Sequence, residues 1–167
     1  DGIFGALKEM AKIHQSGGGT GFSFSRLRPK GDPVRATGGI ASGPVSFMEV
    51  FDAATEVIKQ GGRRRGANMA VLRADHPDII EFVRAKERQG RLQNFNLSVG
   101  ATGDLMARAR SGKEFELRNP RTGLVAETVD ASNLLREMAA NAWRRGDPGV
   151  LFLDRINDAH PIPGTIE

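Results

Sequence analysis

Three consecutive arginines, Arg63, Arg64 and Arg65, stand between Gln60-Gly61-Gly62 and Gly66-Ala67. A guanidinium is a planar fork with paired donors, which suits phosphate oxygens or the edge of a base. The plain alternative is a solvated basic turn, the usual fate of a charge run. A second cluster is Ser16-Gly17-Gly18-Gly19-Thr20-Gly21. Without Cβ atoms a ligand can approach the backbone closely, and exposed amides can bind anions. The stretch lacks the Lys-Ser/Thr of a phosphate-binding P-loop, and it follows a helical segment rather than a strand, so it is not a dinucleotide fingerprint. Its plain alternative is a helix stop. The three histidines, His14, His76 and His160, have no metal-ligand spacing. His76, before a proline, reads as a cap or packing residue. Asp75, Asp78 and Glu81 surround a helix start, where carboxylates complement the helix dipole. Trp143 and the phenylalanines read as core. Cysteine is absent, which removes disulfides, thiolate ligands and thiol nucleophiles from these residues.

These groups need elements to hold them. Ile3, Leu7, Met10 and Ala11 recur at helical spacing over residues 2–15, and Ser16-Gly17-Gly18-Gly19 ends that helix. Phe22-Ser23-Phe24-Ser25 alternates as a short strand. Residues 28–43 form a long loop rich in proline and glycine, the kind that often carries function. Pro44 opens a helix to about Lys59, with Met48, Phe51, Thr55 and Ile58 inward. Its negative end then points at the arginines. A buried strand follows over Asn68 to Leu72, and a helix from His76-Pro77-Asp78 with Ile79, Ile80 and Val83 inward. A strand runs from Gln93 to Val99, and Thr102 caps a helix to about Arg110. Phe115 and Leu117 mark a strand, Asn119-Pro120-Arg121-Thr122-Gly123 a turn, and Leu124 to Val129 its hairpin partner. Asp130 caps a helix through Leu134, Leu135, Met138 and Ala142. Gly146-Asp147-Pro148-Gly149 breaks the chain before a strand from Val150 to Leu153. Strands alternating with helices predict an α/β fold with much parallel sheet.

The chain has 167 residues, with 24 Lys+Arg against 20 Asp+Glu for a net charge of +4. Hydrophobic residues make up 39% and charged residues 26%, which excludes a disordered chain and points to one globular domain. No apolar run approaches the ~20 residues of a membrane span, and no signal peptide is visible. A cytoplasmic location is expected. No aromatic interrupts the arginine cluster, which argues against a nucleic-acid surface. The first residue is Asp1 rather than Met, so a piece of a longer chain is expected.

Several stretches taken together are highly specific. The segment from Ser16 to Arg28, Gly39-Ile40-Ala41-Ser42-Gly43-Pro44-Val45-Ser46-Phe47-Met48 and the segment from Gln60 to Ala70 resemble ribonucleotide reductase catalytic chains in order and spacing. Asn94-Phe95-Asn96-Leu97-Ser98-Val99 and the segment from Gly146 to Arg155 extend the likeness almost end to end. The closest pattern is that of the adenosylcobalamin-dependent class.

The resemblance implies part of a ten-stranded α/β barrel, with residues 1–167 as a fragment. That fragment begins just after the family's first redox cysteine and stops before the cysteine finger loop. It implies radical reduction of ribonucleotides to deoxyribonucleotides, with adenosylcobalamin as cofactor and a thioredoxin-type reductant. By that resemblance Ser16, Gly17, Gly18 and Gly19 form the glycine-rich edge of the substrate pocket. Arg35, Thr37, Gly38, Gly39 and Ser42 belong to the first specificity loop, beside a deoxynucleotide or ATP effector. Gln60, Gly61, Gly62, Arg63, Arg64, Arg65 and Gly66 belong to the second, which bridges effector and substrate. No catalytic or metal-binding residue is assigned within the chain. A homodimer is compatible with these expectations. A non-catalytic nucleotide-binding regulatory module would use the same loops, and a basic RNA-binding domain is an alternative resting only on the basic charge and the arginine cluster.

Overall fold

The computed structural model describes residues 2–34, 38–58 and 66–162. Helix α1 (Gly2–Gln15) leads into strand β1 (Thr20–Ser23). The long loop then holds a short antiparallel pair, β2 (Pro33–Val34) and β3 (Gly39–Ile40), before α2 (Pro44–Val57). Next come β4 (Asn68–Arg73), α3 (Ile79–Val83), β5 (Phe95–Ala101) and α4 (Gly103–Arg110). The hairpin β6 (Glu114–Arg118) and β7 (Val125–Asp130) precedes α5 (Ala131–Arg145), β8 (Gly149–Phe152) and α6 (Leu153–Ala159).

Strands β1, β4, β5 and β8 form one parallel sheet in that order. Thr20 stands opposite Asn68, Asn68 opposite Phe95, and Ser98 opposite Gly149. Parallel neighbours need long crossovers. Helix α2, the α3 region and the α4–hairpin–α5 unit provide them. Strand β5 is buried along nearly its whole length, and β4 alternates buried with half-buried. That is the pattern of inner strands covered by helices.

The core is built by period. Met10 of α1 and Met48, Phe51 and Thr55 of α2 are buried, as are Leu105, Leu134 and Met138 of α4 and α5. Phe22 and Phe24 meet Phe51 with ring centroids 4.9 and 5.9 Å apart, and Phe24 meets Phe95 at 6.3 Å. Tilted and edge-on aromatic contacts of this kind add about 0.5–1.5 kcal/mol beyond buried area. Caps are local: Asp130 accepts from the Asn133 amide at 2.7 Å, and Gly146, at φ +80°, ends α5.

Several expectations need correction. Trp143 is 90% exposed rather than core. The buried stripe of α5 runs through Leu134, Met138 and Asn141, and at 3.6 residues per turn Trp143 projects to the other side. Phe4 and Phe152 are exposed as well. Ile58 lies beyond the end of α2 and is half-buried. Strand β1 starts two residues early, at Thr20, because its amide bonds Ala67 O at 3.1 Å. Leu153 begins a helix instead of ending a strand. Asp78 stands at the N-cap of α3, as expected of a carboxylate at a helix start, but makes no side-chain cap hydrogen bond there. Its Oδ2 accepts the Lys30 amide at 2.9 Å and tethers the long loop, while Asp75 takes a two-pronged contact from Arg73 at 3.0 and 2.7 Å.

The described residues form one open four-stranded parallel sheet, and the expected ten-stranded barrel is not seen among them. On the β8 edge Val150 and Phe152 are 41% and 44% exposed. Unpaired strand edges with apolar side chains promote association. The chain on its own is therefore expected to self-associate, and a concentration-independent monomer in light scattering would contradict this.

Candidate functional site

The glycine-rich stretch is first a helix stop. Ser16 Oγ donates to Ile13 O at 2.7 Å, and the amides of Gly17 and Gly18 return to His14 O and Ile13 O, both at 3.0 Å. Gly17 takes φ +85°. The close approaches lie one and two residues on. A Cβ at Gly18 would fall 2.7 Å from Ile13 Cγ2, and one at Gly19 3.2 Å from Ala67 O. The turn thus lays Gly19 against the start of β4 and brings residues 16–19 beside Gly66.

Under this turn lies a buried polar chain that sequence reasoning did not single out. Thr20 Oγ1 donates to Asn68 Oδ1 at 2.6 Å, Asn68 Nδ2 donates to Thr55 Oγ1 at 2.8 Å, and Thr55 Oγ1 donates to Phe51 O at 2.8 Å. His14 Nε2 lies 3.3 Å from Thr20 Oγ1. The available signal was spacing: His14 continues the Ile3–Leu7–Met10 stripe of α1, so it had to turn inward. Burial pushes the His14 imidazole below its ordinary pKa. The neighbouring Asn94 is held by Asp52, whose Oδ1 accepts its amide at 2.9 Å.

That burial makes a pH prediction. The folded His14 binds a proton less readily than the unfolded one, so the unfolded chain takes up the proton first as pH falls. Stability is intact above about pH 6.5 and declines as pH drops toward the lower folded value. One proton limits the slope to about 1.4 kcal/mol per pH unit. Asp78, raised above the usual carboxylate value by burial, works in the opposite sense. Melting curves of native chain and His14→Ala between pH 7 and 5 should converge, and parallel curves would refute the assignment.

The first specificity loop is anchored at its base. Gly31 N donates to Ala41 O at 2.9 Å, and Ala41 N donates to Asp32 O at 2.8 Å. Arg121 and Asn119 of the hairpin turn donate to the Asp32 carboxylate at 3.2 and 3.3 Å. Gly38 has φ +65° and bonds Val34 O at 2.9 Å, Gly39 pairs with Val34, and the Ser42 carbonyl accepts from Ser46 Oγ at 3.0 Å. Arg35 and Thr37 lie outside the described residues. Ile3, Leu27, Val34, Ile40 and Phe47 line an adjoining groove of about 360 Å³, a size that accommodates a small ligand.

Of the second loop, Gln60, Gly61, Gly62, Arg63, Arg64 and Arg65 lie outside the described residues, and Gly66 is within them. A Cβ at Gly66 would fall 2.7 Å from His14 Nδ1 and 2.8 Å from its Cγ. Helices α1 and α2 run side by side in one direction: Met10 lies 3.6 Å from Thr55 near their ends, and Ile3 and Phe47 share the groove near their starts. Gly38, Gly39 and Ser42 therefore lie at one end of α2, and residues 16–19 with Gly66 at the other. The helix has 14 residues, about 21 Å at 1.5 Å per residue. Within one chain the described part of the first loop and the Gly66 region are separate.

Parallel strands joined through helices define a parallel α/β domain. The chain belongs to the ribonucleotide reductase barrel-domain family, which matches it over residues 1–167. It is 51% identical over 168 residues to a vitamin B12-dependent ribonucleoside-diphosphate reductase of Thermoplasma acidophilum, covering 99% of this chain and 22% of that protein. A Mycobacterium tuberculosis protein of the same name is 49% identical over 163 residues, covering 97% of this chain and 23% of that one. A vitamin B12-dependent ribonucleotide reductase of Streptomyces clavuligerus is 37% identical over 187 residues, covering 98% and 19% respectively. The chain thus spans about a fifth of the length of these relatives. Among the described residues no helix is long and apolar enough to cross a membrane.

Proposed function

We propose that this chain is the effector- and substrate-binding part of the barrel of a vitamin B12-dependent ribonucleoside-diphosphate reductase. The observation that carries the reading is the 51% identity to a relative of that name over 99% of the chain. The full-length protein would reduce ribonucleotides to deoxyribonucleotides in the cytoplasm, with electrons from a thioredoxin-type reductant. Adenosylcobalamin would supply the radical that starts the chemistry. Neither His76 nor His14 is open to it at this site. Both nitrogens of His76 are engaged, with Leu27 O at 2.9 Å and the Asp78 amide at 3.0 Å, and His14 is buried. No residue of this chain is assigned to hold the cofactor.

Within this chain Ser16, Gly17, Gly18 and Gly19 would border the substrate. The amides of Gly17 and Gly18 are spent on α1, so the stretch would work by close approach of its backbone rather than as an anion nest. The loop carrying Arg35, Thr37, Gly38, Gly39 and Ser42 would lie beside the effector. The loop from Gln60 to Gly66 would couple the two. The length of α2 between the loop regions would be bridged along the helix or by a second copy in a homodimer.

Coupling requires a loop that interacts differently with each ligand state. Arg64 and Arg65 supply rigid donor forks for this, which Lys does not reproduce. Replacing either by Ala in the full-length protein should change the ratio of substrates reduced under each effector, by about 1–3 kcal/mol of coupling. The measurement is competitive reduction of the four ribonucleotides with each deoxynucleotide effector. An equal fall for every pairing would leave these arginines a general binding role and defeat the coupling.

A further inference from the structure

The buried chain under the glycine turn has an uneven proton inventory. Thr20 Oγ1 has one proton, and it goes to Asn68 Oδ1 at 2.6 Å. A hydroxyl that has spent its proton can only accept from its next neighbour. His14 Nε2, 3.3 Å away, must therefore be the donor, which fixes the neutral tautomer protonated on Nε2. Nδ1 is then a bare acceptor. It is buried in a residue only 5% exposed, and it has no partner among the described residues. An unmet buried acceptor is unfavourable, and native proteins seldom leave one without a purpose.

The second observation is independent of the first. The Nδ1 side of the ring faces Gly66: a Cβ there would lie 2.7 Å from Nδ1, 2.8 Å from Cγ and 3.0 Å from Cε1. Gly66 does not have a positive φ, so space rather than backbone conformation demands glycine. The ring is itself held from behind by Thr20 and the Asn68–Thr55 chain, which ties it to β1, β4 and α2 together.

We propose that His14 is a positioning residue for the second specificity loop, its ring seating Gly66 at the loop's end and its Nδ1 offering that backbone a hydrogen-bond acceptor. The inference rests on the reading of residues 60–66 as the coupling loop and adds the residue that holds the loop's exit. It also gives α1 a route to the site: a shift of α1 against α2 moves the His14 ring, and the ring moves Gly66.

The test is a double-mutant cycle in the full-length protein with Gly66→Ala, His14→Ala and both together. Each single change should alter the effector-dependent substrate ratio by about five-fold or more. The pair should do no worse than His14→Ala alone, because the new methyl enters the volume the ring has left. Additive effects, or ratios unchanged by either single change, would overturn the proposal. Hydrogen exchange of the peptide over residues 60–68 supplies a second readout. It should quicken in His14→Ala, and unchanged exchange would overturn the seating even where activity is lost. Arg64→Ala separates the two layers. A ratio shifted by Arg64→Ala but untouched by His14 and Gly66 defeats this inference alone. If Arg64→Ala and Arg65→Ala also leave the ratio unchanged, the loop reading itself fails, and exchange still decides whether His14 seats Gly66.

Discussion

Replacing Asp147 by Ala should destabilise the sheet by about 2–3 kcal/mol, the scale of hydrogen bonds to a charged group left unmade in a partly buried place. Asp147 lies just before β8, and its two oxygens do different work. Oδ1 accepts the Leu97 amide of β5 at 2.9 Å, and Oδ2 meets Lys86 Nζ at 2.7 Å. Lys86 also donates to Phe95 O. The side chains of Lys86 and Asp147 are 16% and 15% exposed, so water replaces a missing partner only in part. The carboxylate extends the β5–β8 ladder by one rung below its first strand pair, Ser98 with Gly149. Ala at 147 would leave an ammonium without its counter-charge and an amide without its acceptor. Asn at 147 retains the acceptor and loses only the charge, so it should fall between Ala and the native residue. Hydrogen exchange at β5 and β8 in the full-length protein reads this directly, with protection falling roughly thirty- to a hundred-fold in Asp147→Ala at about 1.4 kcal/mol per factor of ten. Native-like protection in that variant would show that Lys86 and Leu97 find other partners.

Expressed by itself, the 167-residue chain should form no deoxyribonucleotide. The proposed chemistry needs a thiyl radical at the substrate and a pair of thiols to deliver two electrons, and the chain contains no cysteine. The thioredoxin-type reductant proposed above passes its electrons by thiol–disulfide exchange, which needs cysteines on the protein that receives them. The chain should nonetheless keep its parallel sheet, because Met48, Phe51, Leu72, Phe82, Leu97, Leu105 and Leu134 are buried by the described residues themselves. The assay is product formation from each ribonucleotide with adenosylcobalamin and a dithiol, beside circular dichroism to establish folding. Sustained turnover would refute a cysteine-dependent route for this family member.

Periodic patterns determined most of the elements without reference to contacts. The stripes of α1, α2 and α5, the hairpin turn at Asn119–Gly123 and the alternation of strands with helices are all local. Each depends only on which side chains share a face and which residues tolerate a turn. Motif order along the chain was legible too, and it sufficed for the family, because end-to-end similarity is a property of sequence alone. Tertiary structure decided what those residues do to one another. Trp143 was misplaced because a large apolar side chain is ordinarily buried, and only the orientation of α5 shows which face looks outward. The second task of Asp78 was invisible because its partner, the Lys30 amide, is 48 residues away. The His14–Thr20–Asn68–Thr55 chain escaped notice for the same reason: α1, β1, β4 and α2 contribute one residue each. Gly66 illustrates the division. In the sequence it is one more flexible residue beside an arginine run, and in the fold it is glycine because a histidine ring from another element already fills the space where its side chain would be.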